Sequence, residues 1–129
     1  MNAEEIASEV RSWFVNAVSD MAFEMVTSNG VYNGMNDVNR KKIENAKRDG
    51  VEDIQGWFAD ELYNDEDCFY MIADKVLTLC EQNQVSIIGV YNELKNIGHA
   101  TLQSFCEKQI KYYSKKIERP GLEKTNNTL

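Results

Sequence analysis

The sequence predicts an all-α protein, a compact bundle of about five helices with a long N-terminal and a long C-terminal helix. Three observations predict this class. Apolar residues recur at three- and four-residue intervals along most of the 129 residues, which is the period of an amphipathic helix. No period-2 alternation runs longer than a few residues, so sheet has no support. Gly, Asn and Pro fall between the periodic stretches, where helices start and stop.

The first element is the longest stripe. Over residues 3 to 28, Ile6, Val10, Trp13, Phe14, Ala17, Val18, Met21, Ala22, Met25 and Val26 share one broad face. Asn2 followed by Glu5 predicts a reciprocal cap, and Asn29-Gly30 predicts the stop, because Gly accepts the left-handed conformation at a helix end. A linker containing Gly34 runs from Val31 to Asn36. A short polar helix is expected over 37 to 49, with Asp37 as its cap, Val38, Ile43 and Ala46 inward, and Gly50 as terminator.

Val51, Ile54, Trp57, Phe58 and Leu62 then repeat at helical spacing. This leaves Asp53 and Asp60 on one outward side, with Asp49 and Glu52 nearby. Residues 65 to 82 read as another amphipathic helix through Phe69, Ile72, Val76 and Leu79, with Asp65, Glu66 and Asp67 in its first turn, where acids favour initiation. Residues 85 to 96 and 100 to 118 complete the set, separated by Gly98 and ended by Pro120-Gly121. The expected organisation is one helical domain over 1 to 121 and a disordered polar tail over 122 to 129.

Most catalytic chemistries lack their residues here. His99 is the only histidine, so a histidine zinc cluster is excluded, and its place after Gly98 fits a capping or surface role. The glycines are scattered, with no phosphate-binding loop. Asp65, Glu66 and Asp67 lack the alternating oxygens and sixth-position glycine of an EF-hand. Cys68, Cys80 and Cys106 have no CxxC spacing and sit in helical patterns, which predicts small buried hydrophobes in a reducing compartment. We therefore expect no enzyme, no cofactor and no metal site. No apolar run approaches the roughly 20 residues of a membrane span. The first residues carry acids where a secretory leader carries bases, so a cytoplasmic location away from membranes is expected.

Charge is the distinctive feature. The net charge is −7, but residues 1 to 80 carry −9 and residues 81 to 129 carry +2. Residues 49 to 74 contain Asp49, Glu52, Asp53, Asp60, Glu61, Asp65, Glu66, Asp67 and Asp74 with no Lys, Arg or His. Acids can simply solvate helix faces, yet ordinary faces mix signs and gain from alternating pairs. A band without bases repels nucleic acid and membranes and attracts basic partners. One functional reading is imitation of the DNA phosphate backbone. Duplex DNA carries a charge every ~1.7 Å of axis, against one per roughly 4 Å for these nine acids at helical rise, so one copy is a dilute mimic.

The segment from Asp20 through Met21, Ala22, Phe23, Glu24, Met25, Val26, Thr27 and Ser28 to Asn29, followed by Tyr32, Asp37, Ala46 and Trp57-Phe58-Ala59-Asp60, resembles phage anti-restriction DNA mimics of the overcome-classical-restriction family. Weaker similarity continues through Val90-Tyr91-Asn92-Glu93-Leu94. The resemblance implies an all-helical homodimer whose joined acidic surfaces imitate bent DNA and block a restriction-modification enzyme. The acidic positions it carries over are Asp20, Glu24, Asp37 and Asp60. By this reading the partner is the basic DNA-binding groove of a host restriction-modification complex or CRISPR nuclease, and the chain does not bind nucleic acid itself. This sequence departs from the family at its C-terminal helix, where Lys108, Lys111, Lys115, Lys116 and Arg119 are basic.

Two other readings compete. Residues 85 to 118 could form a DNA-binding helix-turn-helix with the lysines on phosphate, although the sequence pI near 4.7 opposes strong DNA affinity. Alternatively, the chain is a helical adapter without a nucleic-acid role, in which the acidic part of one copy meets the basic helix of another.

Overall fold

The computed structural model describes residues 1–27 and 37–118, the side chains of 117 and 118 excepted. Among the described residues there are six α-helices, one 3-10 turn and no strand, so the fold is all-α. The helices are α1 (Ala3–Thr27), α2 (Asp37–Arg48), α3 (Ile54–Tyr63), α4 (Tyr70–Asn83), α5 (Ile87–Ile97) and α6 (Ala100–Glu118), with the 3-10 turn Glu66–Phe69 before α4. The helices correspond to the six periodic stretches of the sequence, one more than the expected count of about five. The stop at Asn29-Gly30, the linker 31 to 36, the end at Pro120-Gly121 and the tail 122 to 129 lie outside the described residues.

The chain divides into two compact units. One consists of Met1–Ser12 and the described residues from Phe69 onward. The predicted reciprocal cap at its start is present: the Glu5 amide donates to Asn2 Oδ1 at 2.8 Å and the Asn2 amide donates to Glu5 Oε1 at 2.9 Å. Two otherwise orphaned amides of α1 are thereby satisfied. Phe105 of α6 is the hub of this unit's core. Its ring lies 5.3 Å from Phe69 and 6.4 Å from Tyr91, centroid to centroid, and all three side chains are buried. Ile72, Val76, Leu94, Leu102 and Cys106 close the core around them.

Turn chemistry fixes the joints of this unit. Gln84 ends α4 in the left-handed conformation at φ 53°, and the Val85 amide reaches back to the Cys80 carbonyl at 3.1 Å. Ser86 caps α5 by accepting the Gly89 amide on its hydroxyl. His99 has the same role for α6, its Nδ1 accepting the Leu102 amide at 3.2 Å. The expected capping role of His99 is thus observed.

The second unit is Trp13–Cys68, within which α1 buries Phe14, Val18, Ala22 and Met25 at intervals of three and four. Helix α2 buries Ile43 and Ala46, whereas Val38 is 62% exposed instead of inward. The helical period explains this correction. Five residues separate Val38 from Ile43, which at 3.6 residues per turn puts them far apart around the axis. Gly50 ends α2 at φ 81° in a full Schellman motif, the Val51 amide donating to the Ala46 carbonyl and the Gly50 amide to that of Lys47.

Because Val51 completes that motif, α3 starts at Ile54 and not at the first apolar residue. Phe58 and Leu62 are its buried residues, and the Tyr63 ring lies 5.6 Å from that of Phe14. The helix expected over 65 to 82 also starts later. Asp65 accepts the Asp67 amide on its carboxylate at 2.9 Å, and its carbonyl accepts the Cys68 amide at 3.0 Å. These bonds close a 3-10 turn ahead of α4, as short polar side chains commonly do.

Candidate functional site

The acidic band divides between the two units. Asp49, Glu52, Asp53, Asp60, Glu61, Asp65, Glu66 and Asp67 belong to Trp13–Cys68, and Asp74 to the other unit. All nine are exposed except Asp65, which is half-buried. The nine acids do not have equal duties. Asp53 is the N-cap of α3, its Oδ1 accepting the Gly56 amide at 2.9 Å. Asp65 holds the 3-10 turn. These two carboxylates each have an oxygen committed to the backbone.

Two more acids meet a cation from α2. Lys42 lies 3.8 Å from Glu61, and Arg48 lies 3.9 Å from Asp49. Both pairs are long and solvent-exposed, so they contribute little and leave most of the field intact. The sequence reading missed these counterions because it counted charges inside the 49 to 74 window. Both cations come from the preceding helix: the packing of α2 on α3 brings in Lys42, whereas Arg48 is the neighbour of Asp49 in sequence. The clue present in the sequence was the run Lys41, Lys42, Lys47 and Arg48 immediately upstream.

Glu52, Asp60 and Asp74 make no hydrogen bond or ion pair through their carboxylates among the described residues. Asp60 is seven residues beyond Asp53, two helical turns, so the two lie on one side of α3 as its period requires. The additional acids Asp20 and Glu24 are exposed on α1, four residues apart. Asp37 is also exposed and is paired with Arg40 at 2.9 Å within α2.

The three cysteine thiols are held in their less reactive form. Burial, reinforced by Asp65 and Asp67, pushes the Cys68 thiol up to about 11. Burial pushes Cys106 up to about 12 and also raises Cys80, so all three free thiols stay protonated at neutral pH. Among the described residues no group of three His, Cys, Asp or Glu side chains could hold a metal ion. No helix among them is long and apolar enough to cross a membrane.

The basic end of the chain lies on α6. Lys108, Lys111, Lys115 and Lys116 are exposed, and Arg119 is outside the described residues. The Lys116 ammonium stands 5.4 Å from the centre of the Tyr112 ring and 5.9 Å from that of Tyr113. No protein-family model, curated protein or solved structure matches this chain.

Proposed function

We infer that this protein is a non-enzymatic acidic inhibitor that occupies the basic DNA-binding groove of a bacterial DNA-processing defence enzyme, a restriction-modification complex or a CRISPR nuclease. The reading also makes it phage-encoded and active in the host cytoplasm. The observation that carries the inference is the part of the band within one compact unit: eight carboxylates with no base among them in the sequence, seven exposed, of which Glu61 and Asp49 meet an α2 cation at 3.8 and 3.9 Å. A groove shaped for phosphate selects such a surface by charge and excludes nucleic acid from it. The resemblance over Asp20 to Asn29 and Trp57 to Asp60 supports the choice of target class.

A helix-turn-helix role fits less well. Recognition helices read DNA with their N-terminal residues; Thr101, Gln103 and Ser104 are exposed there on α6 and could contact bases, but no cation of α6 lies beside them to hold phosphate. The lysines begin only at Lys108.

The test is a DNA-cleavage assay against purified restriction-modification and CRISPR nucleases, with competing duplex DNA and graded salt. Inhibition relieved by duplex and by salt is expected. Neutralising Glu52, Asp60, Glu61 and Asp67 together to the amides should abolish most of it, since exposed charges contribute roughly 0.2–1 kcal/mol each. Undiminished inhibition by that variant would refute the role of the band, and direct salt-sensitive binding of duplex DNA by the protein would favour the helix-turn-helix reading.

A further inference from the structure

The net charge is not shared between the two units. Trp13–Cys68 holds twelve acids and five bases, which gives the whole −7, and the rest of the chain holds nine of each, which gives zero. Within that neutral unit the C-terminal half of α6 is locally basic. Lys108, Lys111, Lys115 and Lys116 are exposed and, with Tyr112, recur at intervals of three and four residues, so they form one stripe along the helix. Among the described residues, Lys111, Lys115 and Lys116 have no carboxylate partner. An aromatic platform is built into the same stripe. Tyr112 is 54% exposed and meets Tyr113 edge-on, with ring centroids 5.0 Å apart. Tyr113 in turn stacks on the buried Tyr91 of α5 at 6.3 Å, so the pair is backed by the core. The Lys116 ammonium, 5.4 and 5.9 Å from the centres of the two rings, is held beside them.

We propose that this stripe binds single-stranded nucleic acid, the lysines holding phosphates and Tyr112 stacking on an unpaired base. The ligand follows from the two chemistries together. Lysines alone fit any polyanion, whereas an exposed ring among them adds a surface on which a base stacks, which strengthens binding on the order of tenfold per base. In a duplex the bases are stacked on one another and present only their edges in the grooves, so the platform selects single strands. The N-terminal turn of α6, with which a recognition helix would read those edges, takes no part. The band repels nucleic acid from the unit that carries eight of its nine acids, and α6 belongs to the other unit. The stripe shares no residue with the band, so the proposal is independent of the inhibitor reading.

The experiment is fluorescence anisotropy of labelled oligothymidylate and oligouridylate, each about 12 nucleotides long, titrated with the full chain from about 20 mM salt upward. Binding of either strand supports the proposal, and a preference assigns DNA or RNA. Affinity should fall with salt at a logarithmic slope of about −3, roughly 0.7 for each of the lysines in the stripe. Lys111→Gln, Lys115→Gln and Lys116→Gln combined should flatten that slope to about −1. Tyr112→Ala should weaken binding on the order of tenfold without changing the slope, and Tyr112→Phe should keep the wild-type affinity, a split that a purely ionic contact does not give. A strand of the same length without bases should bind the wild type as weakly as the intact strand binds Tyr112→Ala. Circular dichroism checks folding, and the strand without bases gives the same reading if Tyr112→Ala unfolds. No binding at low salt, a duplex bound as tightly as a single strand, equal affinity for the strand without bases, or a folded Tyr112→Ala protein indistinguishable from wild type each overturns the proposal. So does binding to phosphatidylserine vesicles with none to either strand.

Discussion

Asp53 and Gly56 form a coupled pair whose behaviour under substitution can be worked out in advance. Gly56 is the third helical residue of α3, and its amide is the one Asp53 accepts. A Cβ added at Gly56 would run into the Asp53 carboxylate. Gly to Ala inside a helix ordinarily stabilises by about 0.5–1 kcal/mol, and losing an Asp cap costs about 1 kcal/mol. In the wild type the two effects oppose each other. Gly56→Ala should therefore leave stability unchanged or lower it by a few tenths of a kcal/mol.

With Asp53→Ala already made, the obstruction is gone and the cap already lost, so Gly56→Ala should then stabilise by its full ~0.5–1 kcal/mol. The cycle predicts a coupling on the order of 1 kcal/mol. For 129 residues melting together at about 2.1 cal/mol/K each, 1 kcal/mol shifts Tm by roughly 4 °C. Thermal and urea unfolding followed by far-UV circular dichroism would resolve it. Asp53→Asn is the control, since it keeps the acceptor and removes the charge, and it should behave like wild type within a few tenths of a kcal/mol. Equal stabilisation by Gly56→Ala in both backgrounds would refute the capping geometry.

Other expectations follow from the same structure. His99→Ala should destabilise by about 1 kcal/mol and His99→Asn by much less, measured by urea unfolding, because the first loses the acceptor for the Leu102 amide and the second keeps one. Phe105→Ala should cost roughly 3–5 kcal/mol, since its ring is buried against Phe69 and Tyr91; a cost under ~1 kcal/mol would contradict its place at the hub. The thiol of Cys68, raised to about 11, should alkylate on the order of a hundredfold more slowly at pH 8 than an unperturbed thiol, followed by mass spectrometry. Raised thiol values also give a sign for pH. Above the ordinary thiol range the unfolded chain loses protons that the folded chain keeps, so stability should fall from about pH 9 to about pH 12, where Cys106 titrates. Cys106→Ala should flatten that slope.

The helices were legible because burial follows period. The stripe from Ile6 to Met25 was read from spacing alone and is buried as read, apart from half-buried positions such as Trp13 and Met21. Caps that rest on neighbouring residues were equally readable, including Asn2 with Glu5, the left-handed Gly50, and His99 after Gly98. Boundaries failed where a short side chain takes up a backbone amide and so fixes where the helix begins. Asp53 and Asp65 each capture an amide and so move the start of α3 and α4 later than the apolar pattern implies. The pairing of Glu61 was not legible because Lys42 reaches it only through the packing of α2 on α3, whereas Arg48 stands next to Asp49 in the sequence.

Those same side-chain bonds to backbone amides sort the acidic band. A carboxylate already holding a backbone amide has part of its hydrogen-bonding capacity spent, and moving it toward a ligand costs the cap, so Asp53 and Asp65 are fixed charges more than adaptable contacts. Glu61 and Asp49 can exchange their long pairs with Lys42 and Arg48 for a better-placed cation at small cost, because such exposed pairs contribute little. Glu52 and Asp60, in the same unit, have no carboxylate partner among the described residues to give up. A basic partner therefore gains most from this last group, next from Glu61 and Asp49, and least per residue from the two capping aspartates. Affinity measured across single amide substitutions should fall in that order, with stability changing in the reverse order, and an affinity loss largest at Asp65 would show that the partner reads the turn's shape and not the band's charge.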